Sequence, residues 1–360
     1  MIIFVFIIVM IMLYGIKPAK PNEYFDPCTH KQTSMINGIF TMLILVSHAS
    51  MYLTYGGRWL HNSYAEFRGY LGQFVVAPFL FYSGFGIMES ISKKGQDYVK
   101  GIPKNRFFKV WYHFALALIS YLILCILRHN NISVSHFILS LIGYRSLGNS
   151  NWYMFDLFIM YIVIYLCFTV FKKSRVAGVI SVFVITYIIS KIFQAAEMDL
   201  IFVISIFCMP TGMAFSLLRP HLRRLVTKNN FVYLLVLVGL GVAVHFLQID
   251  KYESPYIYNL FQIVSILAIT MFCMKFKIEN KIIEFFSKHI FSIFMLQRVP
   301  MIILDHFKVS ENLYLFVSLS FVFTIIIAVI FDKFTAYTDK LIFSITNQTA
   351  KQKPLPDKLG

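Results

Sequence analysis

Ionisable side chains are costly inside long apolar segments, so where they occur they usually face a cavity. Three such residues stand out: His48 at the end of the run Ser34–Met35–Ile36–Asn37–Gly38, Ile39 to Ser47; Asp156 just after Asn151–Trp152–Tyr153; and Arg298 between Gln297 and Pro300. An imidazole is the usual protein base near neutral pH. A carboxylate can orient or charge it, and a cation can stabilise an oxyanion that forms nearby. Each residue also has a plainer reading. His48 could be a hydrogen-bonding link between helices. Asp156 could be a helix N-terminal charge favoured by the dipole, with Trp152 and Tyr153 in an interfacial aromatic belt. Arg298 could snorkel to a membrane surface, although the polar Gln297 beside it favours a cavity. The five cysteines are scattered without metal or redox spacing, and no P-loop, dinucleotide fingerprint or zinc motif occurs. No metal is expected.

The elements that must hold these groups follow from composition. Of 360 residues, 58% are hydrophobic and only 14% are charged, with a mean hydropathy of +0.69. A soluble domain carries roughly a quarter of its residues as Asp, Glu, Lys or Arg. The apolar residues fall in blocks of about 17–22, the length that crosses the hydrocarbon as a helix. Backbone groups in lipid must bond within their own segment, and the alternating ten-residue pattern of a β-barrel is absent. The expected fold is therefore all-α, a polytopic transmembrane bundle of about eleven spans. They are placed at 1–16, 34–53, 70–90, 107–127, 151–171, 176–193, 198–218, 230–247, 256–274, 287–306 and 312–331. Residues 1–33 form an extra N-terminal span with a linker, 34–331 a membrane domain, and 332–360 a polar tail. Lys17, Pro18 and Lys20 follow the first apolar run directly, so it reads as a retained span rather than a cleaved signal.

The net charge of +16 comes from short loops, where membrane orientation and anionic lipid headgroups account for it without nucleic acid. Basic loops at 91–106, 172–175, 219–228 and 275–288 alternate with poorer or acid-balanced ones. The positive-inside rule then puts the 17–33 segment and the C-terminus in the cytoplasm. On that map His48, Asp156 and Arg298 all lie in the outer half of the membrane, at a depth consistent with one shared polar cavity. Asn37 lies eleven residues before His48 on the same helical stripe, about 16 Å away. At the cytoplasmic side Arg106, Lys109 and His113 open the fourth span. They are either ordinary anchoring charges or a phosphate site for a soluble anionic cofactor. Ser83–Gly84–Phe85–Gly86 offers small residues for close helix packing.

Five places in order resemble one family. They are the span ending at His48, Phe81–Tyr82–Ser83–Gly84–Phe85, Asn105–Arg106–Phe107–Phe108–Lys109, Trp152–Tyr153, and Ser292–Ile293–Phe294–Met295–Leu296–Gln297. Together they are similar to acyltransferase family 3, the membrane-bound O-acyltransferases common in bacteria, over roughly residues 34 to 331. The resemblance implies a multi-pass enzyme of the bacterial plasma membrane. It would move an acyl group, usually acetyl from acetyl-CoA, to a sugar hydroxyl of a surface polysaccharide or its lipid-linked precursor. His48 would be the base and the Arg106/Lys109 end, with Ser83 and Asn37, would serve the donor. Trp152, Tyr153 and Gln297 would face the acceptor. The chain departs from the family pattern in having Asn37 at a usually basic position and Gln297 where a histidine is common. Arg298 is then a candidate for the missing positive charge. Rival classes are a transporter or flippase of lipid-linked sugars and a glycan polymerase. The first would show an internal repeat with paired broken spans, and the second charged outer loops; neither feature is evident in the sequence.

Overall fold

The computed structural model describes residues 1–54 and 59–351. The helices in chain order are α1 (Ile2–Tyr14), α2 (His30–Ala49), α3 (Trp59–Leu71), α4 (Ala77–Lys94), α5 (Gln96–Ile102), α6 (Lys109–Leu127), α7 (Val134–Leu141) and α8 (Trp152–Val170). They continue as α9 (Arg175–Ala195), α10 (Cys208–Val226), α11 (Asn230–Asp250), α12 (Pro255–Phe272), α13 (Lys281–Lys288), α14 (Ile290–Leu296), α15 (Arg298–His306) and α16 (Leu313–Lys351). The fold is an all-α polytopic bundle. Among the described residues, eight helical stretches are long and apolar enough to cross a membrane: His30–Tyr52, His61–Lys94, Gln96–Leu127, Trp152–Val170, Arg175–Ala195, Asn230–Asp250, Pro255–Phe272 and Leu313–Ile342. Each corresponds to one of the expected spans.

The other three expected spans take different forms, each with a local cause. The first is only the 13-residue α1. The one expected at 198–218 begins with a short turn of helix at Leu200–Phe202, which Asp199 caps through the Ile201 amide, and regular helix starts only at Cys208. The intervening irregular backbone needs partners, because exposed amides are untenable in lipid. Asn259 of α12 supplies them: its Nδ2 donates to the Val203 carbonyl at 2.8 Å and its Oδ1 accepts from the Phe207 amide at 3.1 Å. The third, at 287–306, is split at Gln297. Pro300 cannot donate to the Leu296 carbonyl and its ring crowds that group, which opens the helix one turn earlier. The Tyr121 hydroxyl donates to the neighbouring Met295 carbonyl at 2.6 Å. At the C-terminal end, α16 continues helically past Phe331 to Lys351. Residues 352–360 of the expected polar tail lie outside the described residues.

The basic connections gather at one end of the bundle. Strands β1 (Ile16–Pro18) and β2 (Phe276–Ile278) pair antiparallel there, with Lys17 opposite Lys277. The like charges are tolerated because Glu279 accepts from Lys17 at 2.6 Å, Lys277 at 2.7 Å and Lys31 at 3.3 Å. Hydrogen bonds from these ammonium groups hold its carboxyl down to about 2. Gln32 of α2 binds the Ile278 carbonyl and amide, each at 3.0 Å. Nearby, Arg219 pairs with Asp26 at 2.5 Å, and Arg175 donates to the Ser92 carbonyl at 3.2 Å. Loops that the charge pattern assigns to one membrane side thus meet in space.

Close packing sets the interior. At Gly84 an added Cβ would lie 2.0 Å from the Met209 carbonyl oxygen, and at Gly212 only 1.9 Å from that of Phe81. Helices α4 and α10 therefore touch backbone to backbone, the use expected of small residues where lipid supplies no hydrophobic drive to associate. Gly86, two residues on, has no such neighbour within 4 Å. The third span bends at Gly72, whose φ of +47° favours glycine and whose Cβ would meet the Tyr258 hydroxyl. That hydroxyl accepts from the Gln73 amide at 2.8 Å. Beside it Lys251 is buried, donating to the Gly69 carbonyl at 2.5 Å and to Tyr70 at 2.9 Å. Its ammonium sits over the rings of Tyr252, Tyr258 and Phe261 at 5.0–5.8 Å. The α11–α12 turn thereby fastens residues 69–73.

Two outcomes follow. Gly212→Leu should forbid the α4–α10 approach and cost more than about 3 kcal/mol. The monodisperse peak in detergent gel filtration should be lost, whereas Gly86→Ala should keep it. Lys251→Met should remove the charged hydrogen bonds to Gly69 and Tyr70 and leave Gly69 only the longer one from Tyr252 at 3.3 Å, a loss of about 1–3 kcal/mol. Hydrogen exchange should then quicken by about tenfold or more at residues 69–73, with 281–288 unaffected.

Candidate active site

Away from the basic loops, the opposite end of the bundle contains a cavity of about 670 Å³. That volume is within the range of small-molecule sites, roughly 300–1,000 Å³. Its wall is built by parts of the chain far apart in sequence, including Ile201 before α10 and Tyr252 of the α11–α12 turn. The end of α2 gives Ser47, His48 and Met51; α3 and the following bend give Arg68, Gly72 and Gln73. The loop before α8 gives Ser146, Asn149 and Asn151, α8 itself Trp152, and the broken α14–α15 pair Phe294 and Arg298.

The break at Gln297 explains the last contribution. A continuous helix would carry Gln297 and Arg298 on successive, diverging directions. With the ladder interrupted at Pro300, Arg298 begins a new helix and lines the cavity beside His48. Its Nη1 donates weakly to the Gly148 carbonyl at 3.4 Å, and its Nη2 lies 3.1 Å from the Met51 sulfur. Its Nε is buried without a hydrogen-bond partner. Gln297 is wholly buried, its Nε2 donating to the Phe294 carbonyl at 3.2 Å and its side chain facing the imidazole. The His48 Nδ1 has no hydrogen-bond partner, and both Arg298 and Arg68 are close enough to act electrostatically on the ring. Among the described residues lining the cavity, none is a carboxylate.

The loop over the cavity has its own logic. Gly143 and Gly148 adopt φ of +80° and +108°. At Gly143 a side chain would strike the Phe155 amide, so the loop folds tightly onto the start of α8. Asn151 Nδ2 donates to the Gly143 carbonyl at 2.7 Å. The Asn149 Oδ1 accepts from the Leu147 amide at 3.0 Å, while its buried Nδ2 has no partner.

The sequence-predicted residues therefore divide. His48, Arg298 and Trp152 share the cavity wall, with Gln297 beside them. Tyr153 stands behind, its ring 5.1 Å from that of Phe294, which in turn lies 6.4 Å from the His48 ring. Asp156 is buried one turn further along α8, close to Tyr153, and both of its carboxyl oxygens are without a hydrogen-bond partner. No hydrogen bond joins it to His48. Asn37 lies outside the cavity wall with a buried, unpartnered Oδ1. At the basic end, Arg106 donates to the Tyr98 hydroxyl at 2.9 Å, and Ser83 reaches the hydroxyl of Tyr161 close by. Lys109 pairs with Asp339 at 2.7 Å, a carboxylate it shares with His113.

Reasoning from sequence overlooked Arg68, Gln73 and Asn149. Arg68 was visible only as a charge flanking an apolar run, and Asn149 only as a loop residue between two glycines. Among the described residues no group of His, Cys, Asp and Glu is arranged to hold a metal ion.

Comparison with known proteins agrees with this architecture. Residues 35–333 match the family model of the acyltransferase 3 domain. No curated protein and no solved structure gives a significant match. The matched stretch begins in the first turns of α2 and ends in α16, so it takes in every wall of the His48 cavity. The chain is a multi-pass membrane acyltransferase and belongs to acyltransferase family 3.

Proposed function

We propose that the chain is an O-acetyltransferase that moves acetyl from acetyl-CoA to a sugar hydroxyl of a surface polysaccharide or its lipid-linked precursor. The observation that carries this reading is the placement of His48 and Arg298 side by side on a polar cavity at one end of an apolar bundle. His48 accepts the proton of the acceptor hydroxyl as its oxygen attacks the thioester carbonyl carbon. The carbonyl oxygen becomes an oxyanion, which the Arg298 guanidinium stabilises. Collapse of the tetrahedral intermediate breaks the carbon–sulfur bond, and the imidazolium returns its proton to the departing thiolate. Trp152 gives the sugar an aromatic wall, with Tyr153 and Gln297 behind it. Asp156, buried one turn further along α8 with both carboxyl oxygens unpartnered, takes no part in these steps.

The positive-inside rule supports an orientation with the basic end, including the C-terminal part of α16, in the cytoplasm of a bacterial plasma membrane. Acetyl-CoA then approaches from the Arg106 and Lys109 end, and the acceptor from the His48 end. A CoA phosphate at Lys109 would compete with Asp339 for the ammonium. Ser83 and Asn37 lie on the helices along which the pantetheine arm, or an acetyl group relayed from it, would travel.

A deletion strain complemented with the wild-type gene should restore O-acetyl signals in the NMR spectrum of its surface glycan. Complementation with His48→Ala should leave them at the deletion level. Arg298→Gln should lower the rate by about 10²–10³-fold, the usual loss for one oxyanion donor. Persistent acetylation with His48→Ala would remove the proposed base, and glycan unchanged by the deletion itself would remove the proposed acceptor.

A further inference from the structure

We infer that the acceptor is bound as a glycan chain, with the acylated unit in the His48 cavity and a neighbouring sugar on each side in a subsite of its own. This rests on the reading of that cavity as the transfer site and names the form of substrate it takes.

Two further cavities open beside the first, each at the lower end of the roughly 300–1,000 Å³ of small-molecule sites. One, of about 310 Å³, lies where the turn of helix at Leu200–Phe202 meets the start of α12. Gly72, Gln73, Ile201 and Tyr252 line both it and the His48 cavity. The other, of about 320 Å³, lies between the end of α6 and the loop before α8 and shares Ser146 with the His48 cavity. Because the shared residues belong to different walls, the two flanking cavities open on different sides of the central one. A single sugar needs only the middle. Three adjoining cavities fit consecutive units of a chain.

The linings have the chemistry of sugar recognition. A sugar unit presents hydroxyls that both donate and accept, on a ring with apolar faces, so its site needs acceptors, donors and an aromatic surface. In the first flanking cavity Tyr252 is 71% exposed, and its ring is open to a sugar face. Asp199 uses Oδ1 to accept from the Ile201 amide at 3.0 Å, which leaves Oδ2 to accept from a hydroxyl. On the other flank Arg128, Asn130 and Asn131 supply donors and acceptors. Asn149 lines the central cavity directly after the Ser146–Gly148 segment that lines this flank. It is only 4% exposed, and its Nδ2 has no partner. An N–H buried without an acceptor is costly, and the oxygen of a sugar passing from one cavity to the next would satisfy it. Such a mixture of acid, base and amide suits a polyhydroxylated chain rather than an apolar tail. The turn that carries Tyr252 is already fixed by the Lys251 bonds to Gly69 and Tyr70, so the platform is in place before a ligand binds.

Titration calorimetry on the full chain in detergent tests this. The probes are fragments of the deletion strain's own surface glycan, cut by partial acid hydrolysis and sorted by size. Fragments of about three to six sugars should bind about tenfold or more tightly than single sugars from the same hydrolysate, since each flank adds hydrogen bonds. Tyr252→Ala should cut that ratio by about threefold or more, and Tyr252→Phe should keep most of it, because the ring rather than the hydroxyl meets the sugar. Asn130→Ala combined with Asn131→Ala should cut it from the other flank; both residues are exposed, so the fold is spared. Size-exclusion profiles identical to wild type establish that the variants are folded. Single sugars that bind as tightly as the longer fragments would overturn the inference, as would no measurable binding of any fraction. So would a length preference that every variant leaves intact, and a loss from one flank alone would overturn the subsite on the other. If the preference holds but His48→Ala leaves glycan acetylation unchanged, the cleft stands and the catalytic reading alone fails. If the deletion abolishes glycan O-acetylation but affinity does not grow with length, the transfer reading stands and the cleft alone fails.

Discussion

Lipid gives apolar helices no reason to leave it for one another, so this bundle depends on contacts that hydrocarbon cannot provide. The central one is the backbone contact of α4 and α10 at Gly84 and Gly212, which a single methyl group on either glycine would prevent. Around it buried polar groups act as ties. Tyr82 meets Thr270 at 3.0 Å, Tyr121 holds the Met295 carbonyl, and Asn259 completes the irregular backbone before α10. These ties fix the middle of the bundle. They also permit one end to open into a cavity without loosening the rest.

The two ends are built on different electrostatic plans. At the basic end, lysines and arginines have carboxylate partners that the chain supplies itself, as at Glu279, Asp26 and Asp339. At the cavity end, His48 and Arg298 share a wall whose described lining residues include no carboxylate. The first arrangement anchors loops. The second leaves positive potential where an acyl oxyanion would form, in surroundings where charge acts over a longer range than in water. The segment 69–73 is fastened to the α11–α12 turn by Lys251 and Tyr258, so the wall bearing Arg68 is held by an element far away in the sequence.

Much of this was legible in the sequence because helices repeat. Block length predicted eleven spans, of which eight are long apolar helices; counting along them put His48, Asp156 and Arg298 at one depth, and of these His48 and Arg298 share the cavity wall. Small residues at 83–86 announced a close helix contact, though only Gly84 makes it. What was not legible lay in contacts without a period. Arg68 reads as an interface charge until α3 folds back over the bundle, and Lys251 reads as a loop lysine until aromatic rings surround it. The late start of α10 depends on Asn259, fifty residues downstream, which no local pattern records. Asp156 shows the opposite limit. It is buried, but neither carboxyl oxygen has a hydrogen-bond partner, so no bond to the imidazole forms.

The account stands or falls on proton transfer at His48. The most direct measurement is single-turnover acetyl transfer by purified protein in lipid nanodiscs, comparing wild type with His48→Ala at saturating acetyl-CoA. The account predicts a fall of about 10²–10⁴-fold in the transfer rate, the usual share of a general base, with acetyl-CoA affinity unchanged. A rate within about twofold of wild type would contradict it, because an interaction made in the transition state cannot be removed without a kinetic cost.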